Sequence, residues 1–366
     1  MIATLTLAAL LFAQASRPLD DLIARHTEAV RKAKTFDDIS AAAKKTLADI
    51  VKFIESKPDS ESAARARAIA CDICADLEDY EGAEAHAKAF FEGWPKHAQA
   101  SLVRMNLGQI RLAAGQDAKA REAFESMIHD TPKESQLFEA KLRIAQSYLC
   151  EGRDDVALKS LVDLRAANKG KPEEWAAVLQ QSLFLQISGK PGEGRALLEE
   201  TVRSCPDEAT VEFAKQVLAT WLWIGKPAKP AEGWNVKGEA VKLDLTGGKV
   251  TVLYFLGTAF PDYPVEAGVM RRLARRFPAS DVSILAIAID KEKAKLEAEL
   301  PRAGVTWPVI HDGNGFKGPI ASAYGIDNLP MVFVIDRKNV VRYVNPIFSD
   351  HARDIGRCVE KLVAEK

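Results

Sequence analysis

The sequence predicts two structured parts of different class: an all-α helical repeat array over residues 16–225, then an α/β domain over residues 238–366. Three observations carry this. Ala, Leu, Glu, Lys and Arg dominate residues 20–225 with few β-branched runs, which favours helix. The same stretch is self-similar at a period of 37 residues. Beyond residue 238, continuous apolar runs alternate with helical segments, the pattern of a sheet covered by helices.

The chain begins with an uncharged run of apolar and small residues from Ile2 to Ala13, and Ala13-Gln14-Ala15 precedes Ser16. Such a run ending in an A-x-A site predicts a secretory signal peptide over residues 1–15. It falls short of the ~20 apolar residues of a membrane span. No second long apolar segment follows, so a soluble exported protein, periplasmic or extracellular, is expected, with no membrane span. Five cysteines, of which only Cys71 and Cys74 are close in sequence, do not form a disulfide framework.

In the repeat, Cys71, Gly108, Ala145 and Ser182 fall in one small-residue column, and Ala83, Ala120, Ala157 and Gly194 in a second. Glu78, Gly115, Gly152 and Gly189 mark the turn between them, and Pro95, Pro132 and Pro206 close three units. Small residues on both helices allow close approach, a glycine ends the first helix, and a proline stops the second. Gly108 and Ala120 are thereby predicted to face each other. Small, turn, small, large, proline at these offsets resembles the tetratricopeptide repeat, with about three residues beyond that family's ~34 per unit. The resemblance implies a groove lined by the first helix of each unit, with Asp72, Gln109 and Gln146 in one of its columns. It also places Cys71 and Cys74 mid-helix, as packing thiols rather than a redox pair.

Residues 226–237, rich in proline and glycine, are read as a linker. Beyond them, residues 250–256 and 282–289 read as buried strands and residues 291–302 as a helix. Residues 331–336 and 340–344 form a hairpin turning at Arg337-Lys338-Asn339, and residues 350–365 a closing helix. The entering strand with Gly257-Thr258, then Trp307-Pro308, Ala323-Tyr324-Gly325-Ile326 and Leu329-Pro330-Met331, resembles the thioredoxin-like domains of the TlpA/ResA type. That resemblance covers about residues 238–366 and implies a thioredoxin-like fold. It aligns the family's W-C-x-x-C with Ala259-Phe260-Pro261-Asp262-Tyr263, so Phe260 and Tyr263 stand where both sulfurs would be. Thiol–disulfide exchange needs a thiolate, and no catalytic residue is expected at this degenerate site. The resemblance further implies a cis bond at Leu329–Pro330 and a possible peptide-binding surface made of Leu329, Pro330, Phe260 and Tyr263.

Other signals point to structure. Asp262 suits a helix N-cap, and Arg271, Arg272, Arg275 and Arg276 a solvated helix face. Trp221 and Trp223 suit a cap on the helical array or a docking point for the domain that follows. Six scattered histidines give no metal-ligand spacing, and no glycine-rich nucleotide loop occurs, so neither metal nor cofactor is expected. Formal charge is −1 overall, with 21 basic and 17 acidic residues from Lys226 onward, which excludes a strong nucleic-acid footprint. The reading is an exported protein-binding or scaffold protein with a redox-inactive domain, taking a protein or peptide partner through the repeat groove or the Pro330 loop. Two alternatives stand beside it: a thiol–disulfide oxidoreductase using other thiols, and a chaperone-like peptide binder.

Overall fold

The computed structural model describes residues 17–129, 134–243, 248–346 and 353–365. The expected signal peptide lies outside them. Among the described residues, eleven helices precede the first strand: α1 (Arg17–Lys32), α2 (Phe36–Ser56), α3 (Glu61–Asp76), α4 (Tyr80–Gly93), α5 (Ala100–Ala113), α6 (Asp117–His129), α7 (Glu134–Cys150), α8 (Asp154–Ala167), α9 (Pro172–Ile187), α10 (Pro191–Ser204) and α11 (Glu208–Trp221). No helix among these residues is long and apolar enough to cross a membrane. The chain divides into two compact units, Met1–Ser147 with Pro301–Gly304 and Tyr148–Leu300 with Val305–Lys366. The division does not follow the boundary expected at residues 226–237. It falls inside the helical region, and the reason is visible in how the second unit is held together.

Within the first unit, α3 packs on α4 and α5 on α6; within the second, α9 packs on both α8 and α10. The turns obey the 37-residue register. Glu78, Gly115, Gly152 and Gly189 all adopt positive φ, at 60°, 76°, 85° and 84°. The residue after each closes the helix by donating its N–H five residues back: Asp79 to Cys74, Gln116 to Arg111, Arg153 to Tyr148 and Lys190 to Leu185, at 2.7–2.9 Å. This is the Schellman closure, whose left-handed residue is normally glycine because a Cβ is disfavoured there. Three of the four turns comply and Glu78 does not. At Gly108 the closest approach is made by a large side chain. A Cβ added to Gly108 would lie 2.3 Å from the Phe124 ring, so the bare glycine backbone receives Phe124, one turn beyond the buried Ala120.

In the second unit, five strands form one sheet in the order β5 (Val309–His311), β4 (Val282–Ala288), β3 (Val250–Leu256), β6 (Met331–Ile335) and β7 (Val341–Val344). β3, β4 and β5 run parallel, while β6 and β7 are antiparallel additions. β3 is buried along its whole length, matching its unbroken apolar run. Helices α12 (Tyr263–Arg276), α13 (Lys293–Arg302), α14 (Pro319–Tyr324) and α15 (Arg353–Ala364) complete the domain, with a small antiparallel hairpin of β1 (Glu232–Trp234) and β2 (Ala240–Lys242) before it.

The segment read as a linker is not a free tether. The N–H of Gly225 donates to Val341 at 2.8 Å, Val341 donates back to Lys226 at 2.9 Å, and Ala228 donates to Asn339 at 2.8 Å. The Pro/Gly-rich composition therefore supplies an extended strip against β7. Further along β7, the α9 side chain of Gln186 takes over: its Oε1 accepts from the Val344 N–H at 2.8 Å and its Nε2 donates to the Val344 carbonyl at 3.1 Å. Arg357 and Lys361 of α15 converge on Asp154 at the start of α8, and Lys361 also donates to the Ile187 carbonyl at 2.8 Å. Apolar packing joins the same elements, since Leu198, Ala214 and Trp221 share one core with Leu253, Phe255 and Phe333. Trp223 stacks on Tyr324 at 4.9 Å and donates its indole N–H to the Tyr324 carbonyl at 3.0 Å.

Two substitutions test these features. Glu78→Gly removes the one non-glycine residue from the repeated left-handed turn, so thermal unfolding should show a stabilisation of about 1 kcal/mol. An unchanged or lowered Tm would show that the turn carries no left-handed cost. Gln186→Ala strands two buried backbone groups of β7 and should destabilise by about 2 kcal/mol, read by denaturant titration.

Candidate functional site

The site is the end of the sheet where β3 runs into α12. The connecting residues Gly257–Asp262 turn tightly, with the Phe260 N–H donating to Gly257 and the Tyr263 N–H to Phe260, both at 3.1 Å. Thr258 anchors the turn: its N–H donates to both carboxylate oxygens of Asp290 at 3.1 Å, and its hydroxyl donates to the same carboxylate. Asp290 follows β4, and its own carbonyl accepts from His311 Nε2 at 2.9 Å. These bonds reach across three parallel strands and fix the height of the loop above the sheet.

Phe260 and Tyr263 come apart in role. Phe260 is 36% exposed and meets Phe316 edge to face at 6.4 Å. A Cβ on Gly257 would lie within 3 Å of both the Phe260 ring and the Leu329 side chain, so this glycine lets the three pack together. Tyr263, the first residue of α12, is only 3% exposed. Its ring does not line the surface expected of it, because the first turn of α12 directs it into the domain. Its hydroxyl has no hydrogen-bond partner. Leu329–Pro330 is cis, as the resemblance implies, with Leu329 buried and Pro330 half-buried. The aromatic surface is therefore made by Phe260 with Phe316, beside Leu329. Phe316 escaped sequence reading, since a lone phenylalanine between glycines carries no periodic signal. Asp262 occupies the N-cap position of α12, but its side chain makes no cap bond.

Beneath the loop lies a polar pair that sequence reading also missed. Tyr254, central in β3, donates its hydroxyl to Glu266 Oε2 at 2.5 Å. The two are twelve residues apart on different elements, so spacing gives no cue. Burial pushes the Glu266 carboxyl above the ordinary glutamate range, with the Tyr254 hydrogen bond opposing and Asp262 adding to the rise. Burial first, then neighbouring carboxylates including Asp290, pushes the Tyr263 phenol well up. Tyr254 shifts the same way, chiefly by burial and by Glu266. Both phenols thus stay protonated at neutral pH and offer no phenolate nucleophile.

The thiols lie elsewhere. All five cysteines are free. Cys358 is buried in α15, where desolvation pushes its thiol up. Cys71 and Cys74 sit buried within α3, and burial raises both, Cys74 to about 12. Neither has the helix N-terminus or cationic neighbour that makes a thiol reactive. Among the described residues, no group of three or more His, Cys, Asp or Glu could hold a metal ion.

Residues 224–344 match the model of the AhpC/TSA family. The same part of the chain is similar to the thiol-disulfide oxidoreductases ResA of Geobacillus kaustophilus and Geobacillus thermodenitrificans. Each is 28% identical over 125 residues, which is 34% of this chain and 70% of the relative. Among solved structures, a thiol-disulfide oxidoreductase from Bacteroides fragilis is 19% identical, over 37% of this chain and all of its own, with a TM-score of 0.34. A thiol:disulfide interchange protein of the thioredoxin family from Chlorobium tepidum is 21% identical, over 38% of this chain and 96% of its own, at 0.33. The chain therefore carries an N-terminal helical region followed by a ResA-like redoxin domain of AhpC/TSA type.

Glu266 gives the site a pH signature. Its folded carboxyl holds a proton more tightly than the unfolded one, so the fold loses stability as pH rises from the ordinary glutamate value through the raised one, and the loss persists above it. Glu266→Gln lacks this ionisation. Its Tm relative to wild type should therefore rise between pH 4 and pH 8; a constant difference would mean that Glu266 ionises normally.

Proposed function

We propose that this is an exported binding protein whose redoxin-like domain serves as a docking surface rather than a thiol catalyst. The observation that carries the reading is the occupancy of the loop before α12: exposed Phe260 and buried, protonated Tyr263 take the places that the ResA resemblance gives to sulfur. Phe260, exposed beside Phe316 and Leu329, leaves apolar area next to the cis Leu329–Pro330 bond, which supports an extended peptide as the ligand. The tetratricopeptide-like arrangement supports partner binding by the helical region as well. The run at residues 1–15 supports export.

The similarity to ResA oxidoreductases favours a second reading, thiol–disulfide exchange. It requires thiols from outside the loop, and Cys71 with Cys74 is the only pair close in sequence. Insulin-disulfide reduction separates the two. Wild type should be inactive, and Phe260→Cys with Tyr263→Cys should introduce activity by placing a thiol at the approach to a helix N-terminus. Wild-type reduction that vanishes in Cys71→Ser with Cys74→Ser would overturn the docking reading in favour of exchange.

A further inference from the structure

Two basic side chains of the α3–α4 hairpin stand apart from the others in the molecule. Arg67 on α3 and His86 on α4 are both half-buried, and Arg67 Nε and His86 Nδ1 are shielded from solvent with no hydrogen-bond partner. Neither side chain makes a hydrogen bond or ion pair with any described residue, while the Arg67 Nη atoms and His86 Nε2 reach solvent. Every other half-buried arginine among the described residues is engaged: Arg65 meets Asp20, Arg111 meets Glu84 and Arg165 meets Glu200, for example. The histidines behave likewise, with His26 bonded to Thr46, His97 to Glu61 and His311 to the Asp290 carbonyl. A shielded polar group without a partner calls for a physical explanation, and here the two exceptions are neighbours.

The hairpin sets them opposite each other. α3 packs along α4, and the turn between them is closed by the Asp79 N–H donating to the Cys74 carbonyl at 2.9 Å. Arg67 lies seven residues before Cys74 and His86 seven residues after Asp79, about two helical turns in each case. The side chains therefore reach the same level of the pair, and the Arg67 charge acts on the His86 ring. No acid stands one turn away on either helix. The residues three and four places from Arg67 are alanines and Cys71, and those from His86 are Gly82, two alanines and Phe90. Among the described residues, the carboxylate that bears on His86 is Asp79, which already caps α4 by accepting from the Gly82 N–H at 3.0 Å. The flanking helices add no free charge: α2 brings Leu47 to this core, and α5 brings Arg104 and Arg111, engaged by Phe91 and Glu84.

A guanidinium presents a fork of donors that matches an oxyanion. The imidazole opposite adds a further donor once its outward nitrogen is protonated. Burial lowers the His86 pKa, Arg67 lowers it further and Asp79 opposes them, so the ring is uncharged at neutral pH. An anion between the two groups offsets the Arg67 charge and favours the imidazolium.

We propose that Arg67 and His86 form a binding site for a small inorganic oxyanion, phosphate or sulfate, held between α3 and α4. The site lies within the first compact unit and is independent of the docking reading of the redoxin-like domain.

The test follows the His86 imidazole of the full chain by proton NMR, assigned by its loss in His86→Gln. The ring is titrated in sodium chloride and in sodium sulfate at matched ionic strength. Sulfate should raise the His86 pKa, and phosphate at about pH 6 should raise the Tm by mass action. Arg67→Gln should abolish both responses, and in chloride it should itself raise the His86 pKa, because the repelling charge is gone. Arg67→Lys keeps the charge without the fork and should weaken sulfate about tenfold, read from the midpoint of the His86 shift; it also reads the site should Arg67→Gln fail to fold by circular dichroism. Lys88→Gln removes an exposed charge two residues from His86 and should leave sulfate binding unchanged. A His86 pKa equal in sulfate and chloride overturns the proposal. So does a sulfate response that survives in Arg67→Gln, or one lost equally in Lys88→Gln, which marks attraction by general positive charge.

Discussion

Backbone groups at a sheet edge must be hydrogen-bonded by something, and the way β7 meets this demand organises the second half of the molecule. Its outer edge is matched first by the strip 225–228 and then by the Gln186 amide, which stands in for a neighbouring strand at Val344. An unpaired edge invites association with other chains. Here the helices that precede the domain close that edge. Once Gln186 and the strip are in place, the Asp154 contacts with α15 and the Trp223–Tyr324 stack fall on the same interface.

The loop before α12 is framed by polar bonds at both of its ends. The Thr258–Asp290 bonds and the Tyr254–Glu266 pair hold the loop and the first turn of the helix to the sheet. With that frame kept, the two side chains between them divide the available space. Tyr263 fills the interior and leaves a phenol without a partner, while Phe260 covers the outside and recruits Phe316. A buried hydroxyl without a partner is costly, and the buried area of the ring offsets that cost.

Periodic features were the legible ones. The 37-residue register located all four left-handed turns, including the one where glutamate replaces glycine, because turn chemistry is local and repeats with the unit. The β3 run read as a buried strand because six apolar residues with one threonine among them need two covered faces. Contacts between distant elements were not legible. Nothing near Gln186 announces a partner at Val344, and nothing near Phe316 announces Phe260. Composition misled at residues 226–237, where proline and glycine suggested a tether. Proline without an N–H is equally suited to an extended strip that needs few donors, and the edge of β7 supplied the partner. The inward turn of Tyr263 is not legible either, because alignment gives a position along the chain and not the direction of a side chain at the start of a helix.

The match to the AhpC/TSA family begins at residue 224, whereas the compact unit that contains it begins at Tyr148. Family likeness and cohesion thus draw different borders on the same polypeptide. A gene segment copied at the family border would carry a redoxin domain with β7 stripped of Gln186, α15 without Asp154, and Tyr324 with its neighbouring core uncovered by α10 and α11. Cut there, the polypeptide would present the Val344 edge and the uncovered core to whatever chain came next.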